Sequence, residues 1–176
     1  FAIQTLWAGP WMIRVSGYTP NESAQGLFLI YLCMLISFLV WGYFVPKFSK
    51  NVNDAIRLLK IGAPINLFVL IIIIYLGSKA GSIHWALFIV SSIFLSLTQP
   101  AVGMAFSLSN AGKALTSFNL LIFIGAFFIQ WIIGLIIDAG IAFNLSEIDS
   151  FKVAMTFVLI TSLLSYLFFL RKVKIN

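Results

Sequence analysis

The sequence predicts an all-α fold, a polytopic bundle of transmembrane helices, on three observations. The chain has 176 residues, of which 61% are hydrophobic and only 9% charged, and its mean hydropathy is +1.07. A globular domain carries roughly 25% charged residues, so this chain is too poor in charge to cover a water-facing surface. Five stretches approach or exceed the ~20 apolar residues needed to cross a hydrocarbon core. No apolar–polar alternation runs long enough for the strands of a membrane barrel. The 18 Phe and 5 Trp suit lipid-facing and interfacial positions.

The elements follow in order. A partial apolar stretch, 1–13, opens the chain and ends at Arg14, with Gly9-Pro10 expected to break its helix near the outer end. Phe1 is already apolar, with no basic leader or cleavage pattern, so we expect a helix whose start is missing and a chain that is a fragment. The second span is expected over 24–45. Thr19-Pro20-Asn21-Glu22-Ser23 reads as a turn with Asn or Ser as helix cap, and Pro46 as the stop. The third covers 57–76, with Asn53 or Asp54 as cap and Gly77 as its close. The fourth covers 83–108 and is expected to bend where Pro100 frees the carbonyl of Ser96. The fifth covers 116–137 and is expected to stop at Asp138. The sixth covers 151–170, with Ser150 as cap and Arg171, Lys172 and Lys174 beyond it.

Charge sets an orientation. Loops on one side carry Arg14, Lys79 and Lys152, against the acids Glu22, Asp138, Glu147 and Asp149. The other side carries Lys47, Lys50, Arg57, Lys60, Lys113, Arg171, Lys172 and Lys174, against Asp54 alone. Cytoplasmic loops are enriched in Lys and Arg, so the second side and the C-terminus are expected to be cytoplasmic. The same flanking residues account for the net charge of +6. They form no aromatic-interleaved patch, so no nucleic-acid partner is expected.

No charged residue sits at the centre of a complete span, where it would mark a proton or ion path. Uncharged polar residues do occur there. Asn119 and Gln130 are eleven positions apart, nearly three helical turns, and share a face with Phe123 and Ala126. Ser92, Ser96, Gln99 and Gly103 follow helical steps beside Pro100, and Gln4, Trp7 and Trp11 do so in the opening segment. An unpaired amide in hydrocarbon is costly. These stripes must therefore face other helices or water, as packing glue or as a cavity wall. Gly125, Ala126 and Gly134 permit close helix contact. His84 beside Trp85 reads as a headgroup-level pair.

Catalytic constellations are missing from the sequence. The single His has no spaced acid or Cys partner, and no zinc, nucleophile-elbow or phosphate-loop motif occurs. Cys33 is the only cysteine and reads as a packing residue. We therefore expect no enzyme, no cofactor and no metal site.

Two stretches carry a family resemblance. Gln4-Thr5-Leu6-Trp7-Ala8-Gly9-Pro10-Trp11 resembles the seventh helix of bacterial major facilitator superfamily transporters. Gly112-Lys113-Ala114-Leu115-Thr116-Ser117-Phe118-Asn119-Leu120-Leu121, continuing through Gly125-Ala126-Phe127, Gln130-Trp131 and Gly134, resembles their tenth-to-eleventh turn and eleventh helix. The resemblance implies the C-terminal six-helix half of a twelve-helix transporter in a bacterial cytoplasmic (inner) membrane, beginning within helix seven. It implies a central cavity lined by helices seven, eight, ten and eleven, with nine and twelve outside. The third and sixth spans, matching nine and twelve, are the more uniformly apolar. The 46–60 loop lacks the Gly-rich Asp-Arg motif common in that superfamily, so no gating role carries over to it.

The function expected is secondary active transport of a small polar or organic solute by alternating access against a missing N-terminal half. The expected cavity residues are Gln4, Trp7, Trp11, Ser96, Gln99, Asn119 and Gln130. Any coupling proton or ion would titrate in the other half. The rival readings are a non-catalytic membrane scaffold or subunit, a membrane enzyme for which paired ionisable groups are wanting, and a nonfunctional fragment.

Overall fold

A computed structural model describes residues 2–173. Lys174, counted above with the basic tail, and Phe1 lie outside the described residues. Every regular element among the described residues is helical. The helices are α1 (Ala2–Arg14), α2 (Pro20–Phe48), α3 (Val52–Leu76), α4 (Ser82–Ser91), α5 (Thr98–Ala105), α6 (Leu108–Ala142) and α7 (Glu147–Lys172), with 3₁₀ turns at Gly77–Lys79 and Ser92–Leu97. Five helical stretches are long and apolar enough to cross a membrane: Pro20–Phe48, Val52–Lys79, Ser82–Ala105, Leu108–Ala142 and Glu147–Lys172. The all-helical bundle of an integral membrane protein follows from them.

Several boundaries differ from expectation, each for a local reason. The cap of α2 is Thr19, not Asn21 or Ser23: its hydroxyl accepts from the Glu22 N–H, and the Glu22 carboxylate accepts from the Thr19 N–H at 2.8 Å. This reciprocal box satisfies two donors at a helix start. Asn51, not Asn53 or Asp54, caps α3 by accepting from the Asp54 N–H at 3.0 Å. Ser146 caps α7 by accepting from the Asp149 N–H, and Ser150 instead lies wholly buried. Asp138 does not stop α6, because an exposed carboxylate costs a helix little. The stop comes at Asn144, whose φ of 62° is the left-handed cap conformation. There the N–H groups of Asn144 and Leu145 close on the carbonyls of Ile141 and Gly140.

Prolines are carried inside helices. Pro10 lies within α1, Pro46 in the last turn of α2 and Pro64 in α3. In a membrane helix neighbouring groups can take up a freed backbone atom. Pro64 cannot bond the carbonyl of Lys60, and that carbonyl accepts instead from the Tyr166 hydroxyl on α7 at 2.8 Å.

The fourth span leaves the α-helix upstream of Pro100. Ser91, Ser92, Ser96 and Thr98 donate to the carbonyls of Phe88, Ile89, Ile93 and Leu95, each three residues back. Such back-bonding competes with the helical ladder, and the backbone tightens to 3₁₀ over Ser92–Leu97. The main core joins α1, α2, α3, α4, α6 and α7 around the wholly buried Trp11, Trp85 and Phe151. Trp85, in the first turn of α4, thus faces the core of the bundle. Close approaches use glycine. A Cβ on Gly26 would meet Met12 Sδ at 2.8 Å, and one on Gly140 would meet Ser150 Oγ at 2.6 Å.

Candidate functional site

The polar side chains of α6 form two interhelical contacts. Gln99 Nε2 on α5 donates to Asn119 Oδ1 at 2.9 Å. Gln130 Nε2 donates to Thr5 Oγ1 on α1 at 3.2 Å. Trp7 Nε1 donates to the Gln130 carbonyl at 3.3 Å, and its ring lies 3.5 Å from where a Cβ on Gly134 would stand. Gly134 is therefore the small residue that admits α1, whereas Gly125 faces open space. Asn119 and Gln130 lie about 17 Å apart along the axis and straddle the middle of α6. A centrally placed α6 holds both inside a hydrocarbon layer of about 30 Å.

This part of the bundle is uncovered. Thr5 and Gln99 are exposed, and Asn119 and Gln130 are half-buried. Phe123, between them on α6, is 73% exposed. The residues buried on α6 are Ile133, Ile137 and Gly140, all near its C-terminal end.

The remaining expected residues fall elsewhere. Gln4 is wholly buried, and neither atom of its amide has a hydrogen-bond partner. It keeps the capacity to bind a water or a solute group within the bundle. Trp11 is a core residue and not a cavity wall. Its indole donates to the Ala80 carbonyl at 3.1 Å, and its ring stands edge-on to Trp85 and Phe151. Ser96 is half-buried and satisfied by the Ile93 carbonyl. The expected stripe from Ser92 to Gly103 is not one face. A 3₁₀ segment turns about 120° per residue against about 100° in an α-helix. Ser92 is consequently buried while Gln99 is exposed.

The structure also holds a cleft that the sequence reading passed over. It encloses about 430 Å³ between α3, the 3₁₀ segment, α6 and α7, and its lining includes Asn66, Thr98, Thr161 and Tyr166. Both α3 and α7 belong to the spans expected to be the more uniformly apolar. The signal was present in Thr161, Ser162, Ser165 and Tyr166, which recur at helical spacing along α7. Their small share of a long apolar run hid it. Asn66 is buried, with Nδ2 donating to the Phe88 carbonyl at 3.0 Å and to Ser91 Oγ at 2.9 Å.

Electrostatically the interior is neutral. Arg14 and Glu147 form an ion pair of 3.2 Å at the exposed end of α1 and α7. Among the described residues no cluster of His, Cys, Asp and Glu is arranged to hold a metal ion. The architecture is that of a helical integral membrane protein with an amide-bearing face that its own chain does not cover. In comparisons with known proteins the chain matches no family model, no curated protein and no solved structure.

Proposed function

We propose that this chain is the C-terminal six-helix half of a major facilitator-type secondary transporter, which moves a small polar or organic solute by alternating access. The observation that carries this reading is the uncovered face of α1, α5 and α6, where Thr5, Gln99, Asn119 and Gln130 place hydrogen-bonding groups at mid-span. Beyond the bond Gln99 and Asn119 make to each other, lipid tails offer the rest of these two amides no partner, so the face favours water, a solute or another protein surface. The second half of the transporter is the partner proposed for it. Helix α2 supports this, since beyond the buried Ser23, Gly26 and Ile30 and the packed Leu27, Met34, Trp41 and Val45 most of its apolar length is exposed.

In this reading Gln99, Asn119 and Gln130 select the solute by hydrogen bonding, and the Trp7 indole forms an aromatic wall. The Gln4 amide supplies a further polar contact from behind α1. No enzymatic step is assigned, and any coupling carboxylate belongs to the other half. The excess of Lys and Arg on one side orients that side and the C-terminus to the cytoplasm of a bacterial inner membrane.

A scaffold reading rests on the same bonds, because Gln99–Asn119 and Thr5–Gln130 also tie helices together. Cysteine scanning separates the two. In full-length protein with Cys33→Ala, single cysteines along 119–130 are treated in membranes with a water-soluble maleimide. Transport predicts labelling at 119, 123, 126 and 130, with 120, 121, 124 and 127 silent. A wholly unlabelled stretch would identify a dry packing face and sink the transport site.

A further inference from the structure

We infer that the cleft between α3 and α7 is a binding site for one anionic phospholipid, with an acyl chain in the cleft and the phosphate at the ammonium groups of Lys60 and Lys172. This does not rest on the transport reading; it requires only that the chain sit in a bilayer.

Most polar groups lining the cleft are turned to their own bundle, with the Ser162 and Ser165 hydroxyls of α7 as the remainder. Thr98 donates to the Leu95 carbonyl at 2.7 Å, and Thr161 to the Phe157 and Val158 carbonyls, each at 3.0 Å. Asn66 is turned to Phe88 and Ser91. The Tyr166 hydroxyl is held by the Lys60 carbonyl that Pro64 frees. With these groups satisfied by their own bundle, methyl and methylene surfaces of Leu59, Ala63, Leu67, Leu95 and Ile129 dominate what remains. A volume of about 430 Å³ lined this way accepts a hydrocarbon chain.

One end of the cleft is basic. Leu59 and Phe169 line it, so Lys60 follows directly on α3 and Lys172 lies one turn further on α7. Lys60 Nζ stands 3.5 Å from the Val173 carbonyl, which brings it to the end of α7. Lys172 Nζ lies 5.8 Å over the Phe168 ring. Neither cation is paired with a carboxylate among the described residues. The acid on this side, Asp54, accepts from the Lys50 N–H instead. Two ammonium groups without a carboxylate partner, one residue beyond Leu59 and one turn beyond Phe169 at the end of the cleft, match an anionic headgroup above its own tail.

The test uses delipidated full-length protein in mild detergent. It is titrated with phosphatidylglycerol or phosphatidylcholine of identical chains and read as adducts by native mass spectrometry. Phosphatidylglycerol is expected to bind at least fivefold more tightly. Lys60→Gln and Lys172→Gln should each lower that affinity about fivefold, the ~1 kcal/mol a basic residue contributes near anionic lipid, and leave phosphatidylcholine unchanged. Lys60→Arg should retain binding. Ser162→Trp, which fills the cleft, should weaken both lipids. Equal affinity of the two lipids for wild type overturns the inference. So does undiminished phosphatidylglycerol binding in the exposed-site variant Lys172→Gln. Displacement by millimolar inorganic phosphate, or no effect of Ser162→Trp, shows surface charge attraction alone and overturns it equally.

Discussion

Where α1 ends and α7 begins, the Trp11 ring stands about 6 Å from both Trp85 and Phe151, and its indole and the Ser16 hydroxyl converge on the Ala80 carbonyl. Glycines close the same end: Gly26 lies against Met12 and Ser82, Gly81 against Tyr18, and Gly140 against Ser150. At the basic end the core consists of Ala55, Leu59 and Leu97, with Trp41, Val45 and Phe169 packed at its margin. There α2 and α6 turn most of their surface outward, and the cleft opens between α3 and α7. The bundle is held by extensive aromatic and glycine packing at one end, and at the other by a smaller set of such contacts, Trp41 and Gly62 against Phe94, beside an open cleft. In lipid, association has little hydrophobic drive and depends on close packing and interhelical hydrogen bonds. Most of the close glycine approaches gather at the first end, while the basic end has one of its own, Gly62 of α3 against Phe94.

Six substitutions can break or sharpen this contrast, each read as a change in thermal unfolding of detergent-solubilised protein. Trp11→Ala should have the largest effect, about 3–5 kcal/mol, as for large aromatic truncations in a packed core. Leu97→Ala is the matched change at the open end, expected at about 2 kcal/mol because fewer neighbours lose contact. Equal losses at the two sites would remove the energetic basis of the contrast. Gly140→Ala should cost about 1–2 kcal/mol by forcing its Cβ onto Ser150, whereas Gly125→Ala, facing open space, should cost nothing by this route. A cost at Gly125 would reveal a partner packed there. Gln99→Leu should cost about 0.6 kcal/mol, the typical worth of an interhelical hydrogen bond in a membrane protein. Arg14→Gln should be smallest, within about 0.5 kcal/mol and absent at high salt, since the Arg14–Glu147 pair is exposed.

Much of the fold was legible because lipid imposes a one-dimensional rule: long apolar runs become helices. The ends were less legible. Thr19, Asn51 and Ser146 won the caps over nearby Asn, Asp and Ser because the choice depends on which side chain meets a free N–H. The candidate site was half legible. The spacing of Asn119 and Gln130 predicted a shared face towards other helices or water, and the structure bonds the first to α5 and the second to α1. The spacing of Gln4, Trp7 and Trp11 did not show that Trp11 enters the core while Trp7 meets α6, since a helical wheel gives angles and not neighbours. The 3₁₀ winding of Ser92–Leu97 defeated the wheel altogether.

What the sequence by itself determined was the class: a charge-poor chain whose apolar runs must bury their backbone polar groups in helices, with its basic residues gathered on one side. What only the tertiary structure decided was which polar groups remain available. Each hydroxyl or amide can spend its bonds on its own helix, on a neighbour or on a ligand, and that choice depends on distances between segments far apart in the chain. Ser96 spends its hydroxyl on the backbone, Gln99 reaches Asn119, and Gln4 is buried with none of its bonds made.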